Sequence, residues 1–304
     1  MFPVTPLTNE QVDNSDASFL IDTIHPGQPL LISFGFVDWE KPPAFDFYGR
    51  IKKLEATTET RLNRVLIRDL TNQWYQREIP GLGQHVDEVS ESLRQIIGMV
   101  QPSEVITIGQ SMGGYAAILF GILLKVDRIL SFGPLSFLTV DQALTYHDRR
   151  WLSVMLALQE KPPPVQYLDL PALYRQRDCQ SDLRIFFGTK PDEGANESVN
   201  LDVLHAFRYA ALPQCQLFPY ANSGHAVVQH LIDTAQMDRL LARHILGLQL
   251  PASTSELHLP ADWTAWVHEN LQLGGNAAQL MGILKQHGFT ESQSQSAFQS
   301  FRAS

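Results

Sequence analysis

Only two cysteines occur in 304 residues, Cys179 and Cys215, and neither belongs to a C-x-x-C pair. That scarcity argues against a disulfide framework or a cysteine-rich zinc site and fits a reducing compartment. Cations are also few: 23 Lys and Arg stand against 32 Asp and Glu, a formal charge of −9, with no block of Lys and Arg that reverses the sign locally. A phosphate-binding surface needs a basic stripe, so nucleic acid is not an expected partner. The longest apolar stretch, residues 116–124, is too short to cross a bilayer. The opening MFPVTPLTNEQVDN lacks the basic and apolar regions of a signal peptide. The expectation is a cytoplasmic protein without a membrane span. H-E-x-x-H, P-loop and helix-opening G-x-G-x-x-G patterns are missing as well, so no metal and no cofactor are expected.

What is present is ordinary globular composition, 44% hydrophobic and 18% charged. The length suits one large domain of about 250 residues plus a small appendage. Short apolar runs at residues 30–34, 64–67, 104–108, 128–132, 183–187 and 216–218 read as strands. Between them lie helical patterns: Val86, Val89, Leu93, Ile96, Ile97 and Val100 recur at three- and four-residue steps, residues 111–124 are mostly apolar, and further helices fit 202–212 and 226–246. This βαβ alternation implies a mostly parallel sheet flanked by helices. Residues 135–182 interrupt the rhythm, carrying Trp151, Leu152, Met155, Leu156 and Pro162-Pro163-Pro164; they read as a lid-like insertion over an acyl pocket, or else as packing. The resulting organisation is a main domain over 1–247, a linker over 248–260 and a small three-helix domain over 261–304. In the last, Asp262 is a candidate N-cap, and Trp263, Trp266, Val267 and Leu271 share one helix face.

The segment Ile106-Thr107-Ile108-Gly109-Gln110-Ser111-Met112-Gly113-Gly114 places G-x-S-x-G between a buried strand and an apolar helix. Such a turn exposes a serine hydroxyl at a helix N-terminus, where developing negative charge is favoured, and its glycines leave space that side chains would fill. Together with the strand ending at Gly35 and the late Gly224-His225, this GQSMGG elbow resembles the α/β-hydrolase superfamily over about residues 15–247. The resemblance implies an α/β-hydrolase fold and a catalytic triad in the chain order Ser, acid, His. On that order Ser111 is the nucleophile and His225, in the loop after the last strand, its base; His147, His205 and His230 read as structural. The acid is expected between residues 187 and 202, where Asp192, Glu193, Glu197 and Asp202 all qualify by position. Asp202, at a helix start that favours an ionised carboxylate, ranks first, and Asp192, nearer the strand end, second. By the same resemblance, the backbone N–H groups of Met112 and Phe36 are expected to form the oxyanion hole. The loop Asn72-Gln73-Trp74-Tyr75-Gln76 follows a strand end and either borders substrate or packs.

The leading expectation is a serine hydrolase of esterase or thioesterase type, acting on a small-molecule acyl substrate through an acyl-enzyme. An acyltransferase using the same triad is the alternative, and a catalytically inactive hydrolase-fold scaffold is a further one. The small C-terminal domain loosely resembles UBA-like helical modules, which implies a protein partner recruited through it.

Overall fold

The computed structural model describes residues 2–191, 200–251, 258–287 and 289–303. Among the described residues seven strands form one sheet: β1 (Phe19–Ile21), β2 (Leu30–Phe34), β3 (Asn63–Ile67), β4 (Val105–Gln110), β5 (Arg128–Phe132), β6 (Asp182–Gly188) and β7 (Cys215–Tyr220). Their order is β1-β3-β2-β4-β5-β6-β7. Only β1 runs antiparallel, against β3; every other pairing is parallel. The β3-β2-β4 order and the tight turn leaving β4 make this an α/β-hydrolase fold.

The sheet is covered on both faces, which is why its central strands read as unbroken apolar runs. Along β2, Leu30, Ile32 and Phe34 enter one core while Leu31 enters the other. The same two-residue alternation divides Ile129 from Leu130 on β5 and Ile185 from Phe186 on β6. The first core is closed by α3 (Val86–Val100) and α4 (Met112–Leu124), the second by α2 (Tyr48–Thr58), α9 (Val227–Asp233) and α10 (Met237–Leu246). Helix α4 is buried along nearly its whole circumference, so it carries no polar stripe and fixes the start of its first turn rigidly against the sheet.

A short α1 (Asn9–Asp13), β1 and α2 were not anticipated from sequence. Strand β1 is three residues long, and α2 begins after Phe47 in a left-handed conformation without a side-chain cap, so neither leaves a strong local signal. The insertion between β5 and β6 folds into α5 (Val140–Thr145), α6 (Leu152–Glu160) and α7 (Leu170–Gln176). It is tied down by Tyr115 Oη donating to the Tyr167 carbonyl and by apolar contacts of Val154, Met155 and Leu158. Helix α8 (Leu201–Tyr209) follows β6, with Asn200 accepting from the Asp202 N–H as its cap.

At the C-terminal end lie α11 (Ala261–Gln272), α12 (Ala277–Gln286) and α13 (Glu291–Ala303). They share a core of Leu259, Val267, Leu284 and Ala297, with Trp263, Trp266, Leu271, Phe289 and Phe298 around it. Asp262 does not cap α11: Pro260 occupies the N-cap position and Asp262 lies inside the first turn, where its charge faces the helix dipole favourably.

Candidate active site

Ser111 sits at the turn between β4 and α4 with φ 51 and ψ −117, a conformation a side-chain-bearing residue adopts only when its surroundings impose it. The imposition is steric. A Cβ on Gly109 would stand 2.2 Å from the Gly113 carbonyl oxygen, and one on Gly113 would stand 2.1 Å from that of Phe34. The Ser111 N–H donates to the Phe132 carbonyl on β5 at 2.8 Å, which pins the turn to the neighbouring strand.

His225, in the loop between β7 and α9, approaches this serine. Its Nε2 lies 3.0 Å from Ser111 Oγ, and its Nδ1 lies 2.7 Å from Asp202 Oδ2. An ionised carboxylate only accepts, so Nδ1 carries the ring proton and Nε2 accepts from the hydroxyl. The imidazole is 30% exposed and the Asp202 side chain 2%. The imidazole is therefore reachable from solvent while its carboxylate partner is sealed. The loop bearing His225 is held where β6 ends, because Gly188 lets the Ser223 and Gly224 carbonyls approach closer than any Cβ allows.

Asp202 is buried, which by itself favours the neutral acid; the His225 hydrogen bond and charge and the Arg150 guanidinium outweigh that and hold its carboxyl below the usual carboxylate range. Arg150 Nη1 donates to Asp202 Oδ1 at 2.8 Å. Gly133, with φ +53, supplies the space beside this pair: a Cβ there would stand 3.1 Å from Asp202 Oδ2 and 3.5 Å from His225 Nδ1. Sequence reasoning missed both residues. Gly133 could have been noticed as a glycine directly after a strand, whereas nothing local marks Arg150.

Of the expected acids, Asp202 is the one the structure brings to His225; Asp192, Glu193 and Glu197 lie outside the described residues. Among described residues, neither the Met112 nor the Phe36 N–H has a hydrogen-bond acceptor. The Phe34-Gly35 turn abuts the start of α4, since the Gly113 Cβ position is 2.9 Å from the Gly35 carbonyl oxygen. Tyr75 Oη donates to that same carbonyl at 2.9 Å and steadies the turn. Trp74 and Tyr75 are fully buried, so these two residues of the loop pack. His205 is buried against Asp148, and His230 packs on Tyr220. Beside the elbow, Gln110 Nε2 donates to Asp46 at 3.0 Å; burial pushes that carboxyl up to about 6, partly offset by the Phe47 N–H and by Gln110. Among described residues no cluster of His, Cys, Asp and Glu could hold a metal ion, and no helix is long and apolar enough to cross a membrane.

No protein-family model matches the sequence, and no curated protein matches it. Solved structures with a similar chain course include the capsule O-acetyltransferase of Neisseria meningitidis serogroup A, at 16% identity and TM-score 0.45 over 72% of this chain and 89% of that one. An α/β hydrolase from the metagenome of lagoon sediments of Mar Chica, Morocco, is 17% identical, with TM-score 0.45 over 76% of this chain and 97% of that one. A fluorophosphonate-binding serine hydrolase of Staphylococcus aureus is 17% identical, with TM-score 0.44 over 76% and 88%. At such identities and scores the likeness assigns no activity to this chain.

Proposed function

We propose that this protein is a serine hydrolase that cleaves a carboxylic ester or thioester through an acyl-enzyme on Ser111. The observation that carries the reading is the hydrogen-bonded row Ser111 Oγ, His225, Asp202, built on a serine held at positive φ. A serine hydroxyl is a poor nucleophile until a base takes its proton. In the proposed reaction Oγ attacks the acyl carbonyl carbon while its proton passes to His225 Nε2. The imidazolium then returns that proton to the departing alcohol or thiol as the carbonyl re-forms. Asp202 keeps the Nδ1 proton in place and stabilises the transient cation. The Met112 and Phe36 N–H groups are the proposed oxyanion donors, each worth about 3–4 kcal/mol of transition-state stabilisation. A second pass, with water deprotonated by His225, releases the acid.

A panel of p-nitrophenyl esters and acyl thioesters of increasing chain length tests this. Turnover abolished by Ser111→Ala is the expected result, with a chain-length limit set by the 135–182 segment acting as a lid. A panel with no turnover by wild type, or with turnover equal in Ser111→Ala, contradicts the proposal. Supplying alcohol or amine acceptors and analysing products separates hydrolysis from acyl transfer, because only a transferase diverts the acyl group from water.

We further propose that residues 261–304 are a separate module that recruits a protein partner, 248–260 being the linker. The core that the three C-terminal helices form together with Leu259, at the end of that linker, supports this. Deleting residues 255–304 is expected to leave ester turnover intact; lost turnover would make the segment an integral part of the enzyme.

A further inference from the structure

Among the described residues, the segment between β5 and β6 hydrogen-bonds Asp202 through the side chain of Arg150. While Arg150 Nη1 donates to Asp202 Oδ1 at 2.8 Å, its Nε and Nη2 donate to Asp148 Oδ1 and Oδ2 at 3.0 and 2.7 Å. Asp148 is 1% exposed and also accepts from His205 Nε2 at 2.8 Å. The opposite side of that ring fixes its tautomer. The Ser136 N–H donates to His205 Nδ1 at 2.9 Å, and Ser136 Oγ, which accepts from Arg208 Nη1 at 2.9 Å, donates to the same nitrogen at 2.8 Å. Nδ1 is thus an acceptor and Nε2–H a donor, and Asp148 is a carboxylate fully engaged by Arg150 and His205.

We propose that Arg150 is the positioning residue of the site. By clamping Asp148 and Asp202 with one planar fork, it fixes the Asp202 carboxylate so that Oδ2 faces His225. The inference rests on the serine-hydrolase reading. A carboxylate turns easily about its last torsion, and a hydrogen bond to one oxygen sets the direction of the other. A guanidinium suits the task because its donors leave in fixed, coplanar directions and serve two carboxylates at once; an ammonium is a point charge without that geometry.

The same arrangement couples the insertion to catalysis. The neighbouring Trp151 packs on Trp74, ring centroids 4.9 Å apart, so consecutive residues anchor this segment to the loop after β3 and to the proposed triad. Among the described residues, the charged and titratable groups around Asp202 are His225 from the loop after β7, Arg150 and Asp148 from the insertion, and His205 from α8 itself. Within this cluster two carboxylates meet one guanidinium. Its removal leaves uncompensated negative charge beside His225 and favours the protonated imidazole.

The test compares full-length wild type with Arg150→Gln and Arg150→Lys on one p-nitrophenyl ester, following kcat, KM and the pH profile of kcat/KM, with thermal unfolding as the check on folding. Arg150→Gln is expected to lose about 10–100-fold in kcat with KM within about twofold, as a misaligned acid costs. Its acid limb is expected to move up by about one pH unit. Arg150→Lys keeps the charge, so its limb stays within about 0.3 unit of wild type, but kcat still falls several-fold because the fork is gone. A folded Arg150→Gln with wild-type kcat and an unmoved limb overturns the inference. Should that variant not fold, Arg150→Lys decides alone, and wild-type kcat in it overturns the inference too. A wild type without ester turnover or Ser111 labelling removes the serine-hydrolase reading and this role together, whereas an active wild type beside unaffected variants refutes only the role of Arg150.

Discussion

Asp202→Asn is the substitution for which the structure makes the sharpest demand. The two carboxylate oxygens face different donors, His225 Nδ1–H at 2.7 Å and Arg150 Nη1 at 2.8 Å. An asparagine offers only one acceptor oxygen, and its amide nitrogen only donates. Arg150 never gives up its proton, so the amide oxygen turns towards it and the NH2 group turns towards His225. Nδ1 then has to accept, the ring proton moves to Nε2, and Nε2 can no longer take the proton of Ser111. The fold is untouched but the base is in the wrong tautomer. In a serine triad, loss of the correct tautomer is worth about 10⁴ in kcat, or about 5–6 kcal/mol of activation free energy. The assay is steady-state hydrolysis of a p-nitrophenyl ester by folded protein, with near-wild-type thermal stability as the control. A rate within tenfold of wild type refutes the reasoning, because it means Asp202 does not set the state of His225.

Two other perturbations follow from the geometry. Gly113→Ala forces a methyl group against the Phe34 carbonyl oxygen, 2.1 Å away, where backbone must yield. It is expected to cost about 1–3 kcal/mol or more in chemical denaturation and to abolish turnover, and an active, equally stable variant contradicts the elbow's steric account. His244 and Asp46 contribute opposing slopes to the stability-versus-pH curve. Burial between Phe186 and Phe218, helped by nearby arginines, lowers His244 to about 4. From pH 6.5 down to that value the unfolded chain binds the extra proton, so stability falls by at most about 3 kcal/mol as pH drops. Asp46, raised to about 6, works the other way: the folded state holds the extra proton above the ordinary carboxylate value, and stability is lost as pH rises to about 6. His244→Gln is therefore expected to make the slope of Tm between pH 4 and 6 less positive than in wild type, and Asp46→Asn to make it more positive. Identical curves for both variants and wild type contradict these assignments.

Features enforced locally were legible in the sequence. Gly109 and Gly113 are written into the chain because each faces a carbonyl oxygen closer than any side chain permits, and the apolar runs of β2 and β4 announce a sheet covered on both faces. The acid was legible as a ranked set, Asp202 ahead of Asp192, since position in a loop does not by itself say which carboxylate turns towards His225. The missing part is non-local. Arg150 and Asp202 stand 52 positions apart, and Asp148 and His205 stand 57 apart, so their pairing depends on the course of an insertion that no periodicity encodes. The same holds for β1, whose three residues gain their partners from β3 far along the chain. At Asp262, residue type favoured a cap, but the chain direction set by Pro260 placed the helix start earlier.

The central claim, that Ser111 is a nucleophile activated by His225, is tested most directly by a fluorophosphonate probe and mass spectrometry of the labelled protein. The account predicts a single phosphonylated serine at position 111, no label in Ser111→Ala, and labelling slowed by orders of magnitude in His225→Gln. A wild type that takes up no probe, or a Ser111→Ala variant labelled as readily as wild type, would contradict it.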